Sequence, residues 1–303
     1  MRKLLITGVS GFLGWNICQW VRSSPNLNLL NTNLSEWQIH GACFSHKIEI
    51  PTVTLHQINL TDFSALQDLF RIVQPDAVIH AAAQSKPNYC QLHPEETYPI
   101  NVTASNNIAG LCSDRAIPCA FTSTDLVFDG LNPPYKETDP VNPVSYYGEQ
   151  KVLAEEGMLK RYPQAAICRM PLMFGRPSPV ANSFIQSFIK ALQTNQSLNI
   201  FTDEWRTSVS GTTAAHGLLL ALNHAEGVLH LGGRERLSRY EFVQLMATVF
   251  NLPTTGIHPC RQQDVQMPAP RPADVSLDSS KAFALGYQPL SLKEELEALK
   301  DLL

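Results

Sequence analysis

Short apolar runs and stretches with helical spacing alternate along the first half of the chain. The first run, residues 3–7, ends in glycines and is followed by apolar residues at helical spacing, namely Phe12, Leu13, Ile17, Trp20 and Val21. The same change recurs and predicts strands over 38–44, 53–60, 77–82, 118–122 and 166–170, and helices over 62–73, 101–112 and 147–161. Because strands that alternate with helices need crossover connections, we expect a doubly wound α/β fold, in which helices cover both faces of a parallel sheet.

The alternation weakens after about residue 175, which predicts a second, smaller region. This region has a helix over 183–193, loops rich in Thr, Ser and Pro up to residue 272, and an amphipathic helix over 290–303 with Ser291 as its cap before Glu294. An apolar strand over 228–231 could return to the main sheet. We therefore divide the chain into residues 1–175 and 176–303, with that strand as an exception.

The composition describes a chain that can bury a large core. Of 303 residues, 44% are hydrophobic and 17% are charged, and 23 Lys and Arg residues stand against 27 Asp and Glu residues, for a net charge of −4. This balance argues against a nucleic-acid binder and against attachment to an anionic membrane. No apolar stretch approaches the roughly 18 residues that a membrane span needs.

Cysteine and histidine positions bear on the compartment and on metal binding. The seven cysteines are an odd number without a Cys-x-x-Cys pair, which favours reduced thiols in a cytoplasmic protein. No signal peptide is expected, because the apolar run after Met1 breaks off at Thr7 and Gly8. The nine histidines show no ligand spacing, so no metal site is expected.

Three glycines, each three positions from the next, stand where the first predicted strand becomes the first predicted helix. Glycine lets the backbone turn tightly, lets a pyrophosphate approach the amide N–H groups and lets helix and strand pack closely, and the helix N-terminus favours an anion. The motif predicts a Rossmann-type dinucleotide site at Gly8, Ser10, Gly11, Phe12, Leu13 and Gly14.

The end of the second predicted strand distinguishes the two nicotinamide dinucleotides. An acid there binds the ribose 2′-OH of NAD and repels the 2′-phosphate of NADP. This chain has Ser45, His46 and Lys47 instead, and no acid before Glu49. A hydroxyl, an imidazole and an ammonium suit a phosphate, so NADP (NADPH) is favoured over NAD, with Ser45 and Lys47 as ligands. The alternative is an ordinary solvated loop.

A phenol and an ammonium share one face of the helix predicted over 147–161. Tyr147 and Lys151 are four residues apart, which places their Cβ atoms about 6 Å from each other. The cation is expected to lower the pKa of the phenol toward the working pH, as a proton donor to a carbonyl oxygen requires. Tyr146 is a rival, but Gln150 rather than a cation stands four residues after it. A pair on the helix surface is the alternative.

Hydroxyl groups follow the fifth predicted strand, at the carboxyl edge of the sheet where open α/β sheets bind ligands. We expect Thr124 to hydrogen-bond a substrate carbonyl beside Tyr147 and to stabilise the negative charge that develops there. Capping of the strand end is the alternative, and it applies more to Ser123 than to Thr124.

Together these features resemble the extended short-chain dehydrogenase/reductase superfamily over nearly the whole chain. Within that superfamily, the sequence is similar to the dTDP-4-dehydrorhamnose reductase family. The similarity is carried by Ser123-Thr124-Asp125 followed by Val127-Phe128-Asp129-Gly130, by Tyr147-Gly148 with Lys151, and by Arg271-Pro272.

The resemblance implies reduction of the 4-keto group of a nucleotide-linked 6-deoxyhexose with NAD(P)H, and a catalytic trio of Thr124, Tyr147 and Lys151. It also implies that Asn101 begins a helix, that residues 1–175 bind the dinucleotide and that residues 176–303 mainly bind the substrate. A homodimer is a further expectation, because relatives commonly dimerise. Cofactor contacts beyond the glycine motif are implied for Leu60, Ala81, Ala82, Ala83, Tyr147 and Lys151.

Two residues are candidates for substrate binding by the same resemblance. Arg271 begins an Arg-x-x-Asp in which the arginine of extended relatives clamps a nucleotide diphosphate, and a guanidinium suits that role by its bidentate geometry. Asn182 stands where relatives hydrogen-bond the sugar nucleotide, although helix capping explains it equally well. Arg206 is a weaker candidate.

The leading hypothesis is an NADPH-dependent reductase of a nucleotide-activated keto-sugar. The identity of the sugar stays open, because His80 and Leu126 replace the Asn and Tyr usual in the family and the loop over 84–90 differs. An epimerase or dehydratase that retains NAD is one alternative, opposed by the missing acids at Leu126 and after the second strand. A non-catalytic regulatory subunit that keeps the fold and the NADP site, as the beta subunit of methionine adenosyltransferase does, is another.

Overall fold

The computed structural model describes residues 1–46 and 48–300 and contains a parallel seven-stranded sheet. The order of strands across it is β7-β6-β5-β4-β1-β2-β3. Strands β1 to β3 therefore extend toward one edge of the sheet and β4 to β7 toward the other, and the switch point of the strand order lies between β1 and β4. The predicted doubly wound α/β fold is confirmed. In chain order the strands are β1 (Arg2–Thr7), β2 (Trp37–Cys43), β3 (Val53–Gln57), β4 (Ala77–His80), β5 (Cys119–Thr124), β6 (Ala166–Met170) and β7 (Gly227–His230).

Helices cover both faces of this sheet, and shorter elements complete the structure. The α-helices are α1 (Phe12–Ser23), α2 (Phe63–Val73), α3 (Pro87–Leu92), α4 (Pro94–Tyr98), α5 (Ala104–Ser113), α6 (Tyr146–Arg161), α7 (Phe184–Gln193), α8 (Gly211–His224), α9 (Arg239–Val249), α10 (Ser280–Ala284) and α11 (Leu292–Glu297). Short strands pair Asn28–Leu29 with Thr32–Asn33, Met173–Phe174 with Val209–Ser210, Leu198–Phe201 with Ile257–Cys260, and Trp205–Arg206 with Leu237–Ser238. Further turns are 3₁₀ at Leu34–Glu36, Asp125–Val127 and Gln262–Asp264, and π at Pro99–Thr103.

Strand β1 shows why the apolar runs are nearly continuous. Leu4 and Ile6 point into the core under α1 and α8, whereas Leu5 points into the core under α2, α5 and α6. Because both faces are covered, both sets of side chains must be apolar. A third core joins α7, α9 and α11 around Phe174 and Phe242, whose rings meet edge to face at 5.0 Å.

Strand β7 comes from the second half of the chain and extends the main sheet. Leu229 lies opposite Cys168 in parallel pairing with β6. The sheet is therefore built from segments on both sides of residue 175. Among the described residues, no helix has both the length and the apolar composition to cross a membrane.

The helix predicted over 101–112 begins differently in the structure, so the expectation that Asn101 starts a helix is wrong. Asn101 lies inside a π-helical turn that connects α4 to α5. Pro99 lacks the N–H that an α-helical hydrogen bond needs, and the wider turn accommodates this loss.

The C-terminal helix is shorter than the predicted span of 290–303. Ser291 does cap α11, with its hydroxyl 3.3 Å from the N–H of Glu294. The helix ends at Glu297, because Leu299 and Lys300 form hydrogen bonds to carbonyls three residues back instead of four. Residues 301–303 lie outside the described residues.

Candidate active site

The glycine turn after β1 closes against the end of β4. Gly8 has a φ of 74°, and a Cβ there would lie 2.8 Å from the backbone of Ala82. A Cβ at Gly14 would clash with the Gly8 carbonyl oxygen. Gly11 begins α1, and no side chain of the described residues caps that helix. Its first-turn N–H groups are therefore available to an anion, so the turn fits the pyrophosphate of a dinucleotide.

The other predicted cofactor residues surround this turn or lie near it. Ala81 and Ala82 each donate a backbone N–H to Thr7 Oγ1 at 3.2 Å, which ties the end of β4 to β1. Of the remaining ones, Ser10, Phe12 and Ala83 are half-buried, and Leu13 and Leu60 are buried.

The loop after β2 carries the residues predicted to choose between NADP and NAD. Ser45 is exposed, and its hydroxyl lies 3.1 Å from Nδ1 of His46, which is also exposed. Lys47, the second predicted phosphate ligand, lies outside the described residues. An exposed hydroxyl and imidazole leave room for a 2′-phosphate at this edge.

His80, where the family usually has Asn, is buried and connects two segments. Its Nδ1 lies 2.7 Å from Thr7 Oγ1 and its Nε2 lies 3.1 Å from Ser105 Oγ. Thr7 Oγ1 already accepts two N–H groups, so it donates its proton to Nδ1, and Nε2 carries the proton shared with Ser105. Burial, aided by the Lys151 charge, lowers the pKa of His80 to about 3, and the ring is neutral.

The structure brings Thr124 and Tyr147 together at the carboxyl edge of the sheet. Thr124 ends β5, and Tyr147 lies in the first turn of α6, where Ser145 caps the helix. Both side chains are buried, and Thr124 is close enough to act on the pKa of the phenol. By contrast, Tyr146 is 43% exposed, so the rival phenol faces away from this site. The Thr124 hydroxyl donates to Asp125 Oδ1 and accepts the N–H of Leu126, both at 3.2 Å, so Thr124, and not Ser123, caps the end of the strand.

The expectation that Lys151 lowers the pKa of Tyr147 is wrong for this structure. Burial raises the pKa of Tyr147 well above its ordinary value, and the neighbouring Cys90 and Asp125 raise it further. The nearby Thr124 hydroxyl offsets only part of this rise. The phenol is therefore protonated at neutral pH, as a proton donor to a carbonyl must be.

Lys151 is buried one turn after Tyr147. Its Nζ donates to the Thr122 carbonyl at 2.6 Å and lies 4.1 Å from the centre of the Phe121 ring. Burial lowers the pKa of Lys151 to about 7, while Glu155 and Cys90 raise it. The ammonium is thus tied to β5 and titrates near neutral pH.

Ser123 does not share the environment of Thr124. Its hydroxyl points to the opposite face of β5 and donates to the buried carboxylate of Glu155. That carboxylate also pairs with Arg169 at 2.8 Å. This arrangement leaves Thr124 as the hydroxyl beside Tyr147.

Arginines gather beside the catalytic candidates. Arg206 is buried, and its Nε lies 3.6 Å from Asp125 Oδ2. Glu204 lies 3.6 Å from Arg206 and 3.8 Å from Arg239. Arg271 donates to Asn88 Oδ1 at 2.9 Å.

Positive charge exceeds negative charge in this cluster, since three guanidinium groups face two carboxyl groups. Burial raises the pKa of Asp125 to about 6, although the Arg206 charge lowers it. One terminal nitrogen each of Arg239 and Arg271 is buried without a hydrogen-bond partner among the described residues. Unpaired buried donors of this kind suit an anionic ligand.

The structure places Asn182 in a loop, exposed, just before α7. Ser183, and not Asn182, is the cap of that helix, with its hydroxyl and backbone N–H both 2.8 Å from Oε1 of Gln186. Helix capping therefore does not account for Asn182.

Sequence reasoning missed the side chains that hold the loop over 84–90 against α6. The buried Asn101 side chain accepts the N–H of Gln84 at 2.9 Å and donates to Gln150 Oε1 at 2.8 Å. This contact places Cys90 close to Tyr147, and Cys90 contributes to the raised pKa of the phenol. The loop departs from the family's usual sequence, and that departure was the available signal.

The fold and the site together define the class of protein. The sheet is doubly wound and carries a glycine turn after β1, a threonine at the end of β5 and a Tyr-x-x-x-Lys on α6. This is the organisation of an extended short-chain dehydrogenase/reductase. The profile of the RmlD substrate binding domain matches residues 1–303, and the chain belongs to that family.

The chain is also similar to curated relatives and to solved structures. Methionine adenosyltransferase 2 subunit beta from Bos taurus is 29% identical over 294 residues, covering 94% of this chain and 83% of the relative. The probable low-salt glycan biosynthesis reductase Agl14 of Haloferax volcanii is 29% identical over 302 residues, covering 97% and 96%. A crystal structure of a hypothetical dTDP-4-dehydrorhamnose reductase from Sulfolobus tokodaii has a TM-score of 0.81 and 29% identity, covering 96% and 98%.

Proposed function

We propose that this protein is an NADPH-dependent reductase of a nucleotide-activated keto-sugar. The observation that carries the proposal is the buried Tyr147 phenol beside the Thr124 hydroxyl, with Lys151 one helical turn away. A carbonyl oxygen could accept from the phenol and, once the Thr124 hydroxyl turns away from Asp125 Oδ1, from that hydroxyl as well. Similarity to a probable reductase and to a hypothetical dTDP-4-dehydrorhamnose reductase supports the same class.

One set of residues in this chain would bind the cofactor. The turn at Gly8, Gly11 and Gly14 would hold the pyrophosphate of the cofactor, Lys151 its nicotinamide ribose, and Ser45 the 2′-phosphate, together with Lys47. NADPH, when bound, supplies the hydride.

Proton transfer would come from Tyr147. Its raised pKa keeps the phenol protonated until a carbonyl oxygen gains negative charge and becomes the stronger base. Thr124 would donate a second hydrogen bond to that oxygen and hold the carbonyl in line with the phenol. Both groups are buried, so water competes weakly for these contacts.

The arginine cluster would bind the diphosphate of the nucleotide. The guanidinium of Arg271 has one nitrogen on Asn88 and another buried without a partner among the described residues. A diphosphate would satisfy that nitrogen and offset the excess positive charge shared with Arg206 and Arg239. The substrate would thus lie with its sugar at Tyr147 and its nucleotide toward the second region.

The direct test is NADPH oxidation in the presence of a dTDP-4-keto-6-deoxyhexose, compared with NADH oxidation. We expect turnover with a preference for NADPH. Ser45→Asp should weaken NADPH binding more than NADH binding, because a carboxylate repels the 2′-phosphate. Tight NADPH binding without turnover on any nucleotide-linked keto-sugar would contradict the reductase.

A second candidate function is a non-catalytic regulatory subunit. It is favoured by the similarity to methionine adenosyltransferase 2 subunit beta over 94% of the chain. Affinity purification of the tagged protein from its own cells distinguishes the two. A stoichiometric partner together with no turnover would support regulation, whereas an active protein without such a partner would argue against it.

A further inference from the structure

A buried ion pair lies directly behind the catalytic candidates. Glu155 follows Lys151 by one turn of α6 and is only 4% exposed. Its Oε2 lies 2.8 Å from Arg169 Nη2, and its Oε1 lies 3.1 Å from Arg169 Nε. The same carboxylate accepts the hydroxyl of Ser123. None of the catalytic steps above uses this pair.

The ion pair and Lys151 are attached to consecutive residues of β5. Lys151 Nζ donates to the carbonyl of Thr122, and Glu155 accepts from Ser123. The next residue is Thr124, the hydroxyl beside Tyr147. Any shift of the Glu155 carboxylate would therefore act on both the lysine and the end of the strand.

We propose that Glu155 is a positioning residue that keeps the buried Lys151 ammonium charged and in place against β5. Residues four apart on a helix face each other, so the carboxylate attracts the ammonium from its own helix. Arg169 in turn pairs with Glu155 at 2.8 Å and compensates the cost of burying its charge. The role assigned to Lys151 rests on the proposed function, but the charge coupling can be measured without it.

The other titratable groups facing Lys151 carry no compensating charge. His80, from β4, is neutral because burial lowers its pKa to about 3. Burial raises the pKa of the Cys90 thiol on α3. Tyr147, on the same helix, has a raised pKa as well. Among the described groups acting on Lys151, Glu155 therefore supplies the larger part of the attraction that opposes burial, and Cys90 supplies the smaller part.

His230 contacts Arg169 on the side of the ion pair that faces away from Lys151. His230, from β7, has its Nδ1 3.1 Å from the Tyr135 carbonyl and its Nε2 3.4 Å from Arg169 Nη1. Burial lowers the pKa of His230 to about 3, so the ring is neutral and Nε2 accepts from the guanidinium. Arg169 is thus the charged partner of Glu155 from β6.

The test measures the titration of Lys151 in the ligand-free protein by NMR of selectively ¹³C-labelled lysine, with the signal assigned by its loss in Lys151→Met. In Glu155→Gln the midpoint should fall by about one pH unit or more, because an opposite charge close by is removed. Glu156→Gln is the matched control, since Glu156 is exposed on the same helix and its loss should leave the midpoint unchanged. An unchanged midpoint in folded Glu155→Gln would overturn the proposal.

Glu155→Gln leaves Arg169 without its carboxylate and can fail to fold for that reason. The double variant Glu155→Gln/Arg169→Gln removes both buried charges and is the second arm. We expect its Lys151 midpoint to fall in the same direction, and no fall there would equally overturn the proposal. Because the titration needs neither cofactor nor sugar, a protein without reductase activity would still show the coupling, which separates this inference from the proposed function.

Discussion

Protonation at the catalytic candidates is governed by burial more than by neighbouring charges. Tyr147 and Lys151 are four residues apart, yet the pKa of the phenol is raised and the pKa of the ammonium is lowered to about 7. Both shifts favour the neutral form of a group removed from water. A phenol ready to donate and an ammonium that titrates near neutral pH are the result.

Lys151→Met is expected to stabilise the protein in acid. The pKa of Lys151 in the folded protein, about 7, lies below the ordinary value of 10.5. Between these two pH values the unfolded chain therefore binds more protons than the folded protein. The contribution of Lys151 to stability consequently rises with pH across that interval. Below about pH 7 the full cost applies, which is about 5 kcal/mol in the free energy of unfolding for a pKa lowered from 10.5 to about 7, and methionine removes it.

The measurement is denaturant unfolding at about pH 6 and about pH 10, with Lys160→Met as the exposed control on the same helix. The gain should shrink at the higher pH, and the control should stay within about 0.5 kcal/mol of the wild type. A Lys151→Met protein that is equally destabilised at both values would show that the ammonium is not strained by burial.

Residue spacing predicted which side chains lie close together but not the direction in which their pKa values shift. The i, i+4 pattern placed Tyr147 and Lys151 on one helix face, and the structure agrees. The direction of the Tyr147 pKa depends on how much water the rest of the chain excludes, which spacing does not encode. Glu155 was missed for a related reason, since its partners Ser123 and Arg169 come from other strands.

At the scale of elements, the turn from β1 to α1 is the segment most constrained by close packing. A Cβ on Gly14 would clash with the Gly8 carbonyl, whereas a Cβ on Gly110, inside α5, would lie 4.0 Å from its neighbour Arg161 Cδ. Both glycines are helical, but only Gly110 has room for a methyl group. The same substitution to alanine should therefore have opposite effects on stability at the two sites.

Gly14→Ala should cost about 2 kcal/mol or more in the free energy of unfolding, because backbone atoms must move. It should also lower NADPH affinity. Gly110→Ala should gain about 0.5–1 kcal/mol from the higher helix propensity of alanine. Chemical denaturation and a fluorescence titration with NADPH measure both effects. A Gly14→Ala protein with wild-type stability and affinity would contradict the close approach at the turn.

Elements were predictable where apolar periodicity is strong and less so where proline interrupts it. Strand β1 and helix α2 match their predicted spans within a residue or so, because burial on defined faces dictates their pattern. The short helices α3 and α4 were not predicted, since each begins at a proline and spans too few residues to show a period. The π turn before α5 begins at a third proline, Pro99.

At the scale of the whole molecule, the arginine cluster joins the two regions of the chain. Arg206 and Arg271 come from the second region, and Asp125 follows β5 of the sheet. Sequence suggested Arg271 by resemblance, but the convergence of these residues depends on the tertiary fold. An anion bound here would contact both regions at once.

Binding of dTDP should therefore raise the melting temperature, and Arg271→Gln should weaken that binding by tenfold or more, in line with the loss of a charge-assisted hydrogen bond. Arg71→Gln is the control, because Arg71 is exposed on α2 and pairs with Asp68 at the surface. Isothermal titration calorimetry gives the affinities. Equal dTDP affinity in all three proteins would place the diphosphate elsewhere.

The measurement that tests the central claim most directly is turnover of a dTDP-4-keto-6-deoxyhexose by Tyr147→Phe. Tyr146→Phe is the matched control, since that neighbouring phenol is exposed. We predict that Tyr147→Phe retains NADPH binding and loses turnover by a hundredfold or more, the usual size of a general-acid contribution, while Tyr146→Phe remains active. Turnover retained in Tyr147→Phe would contradict the account.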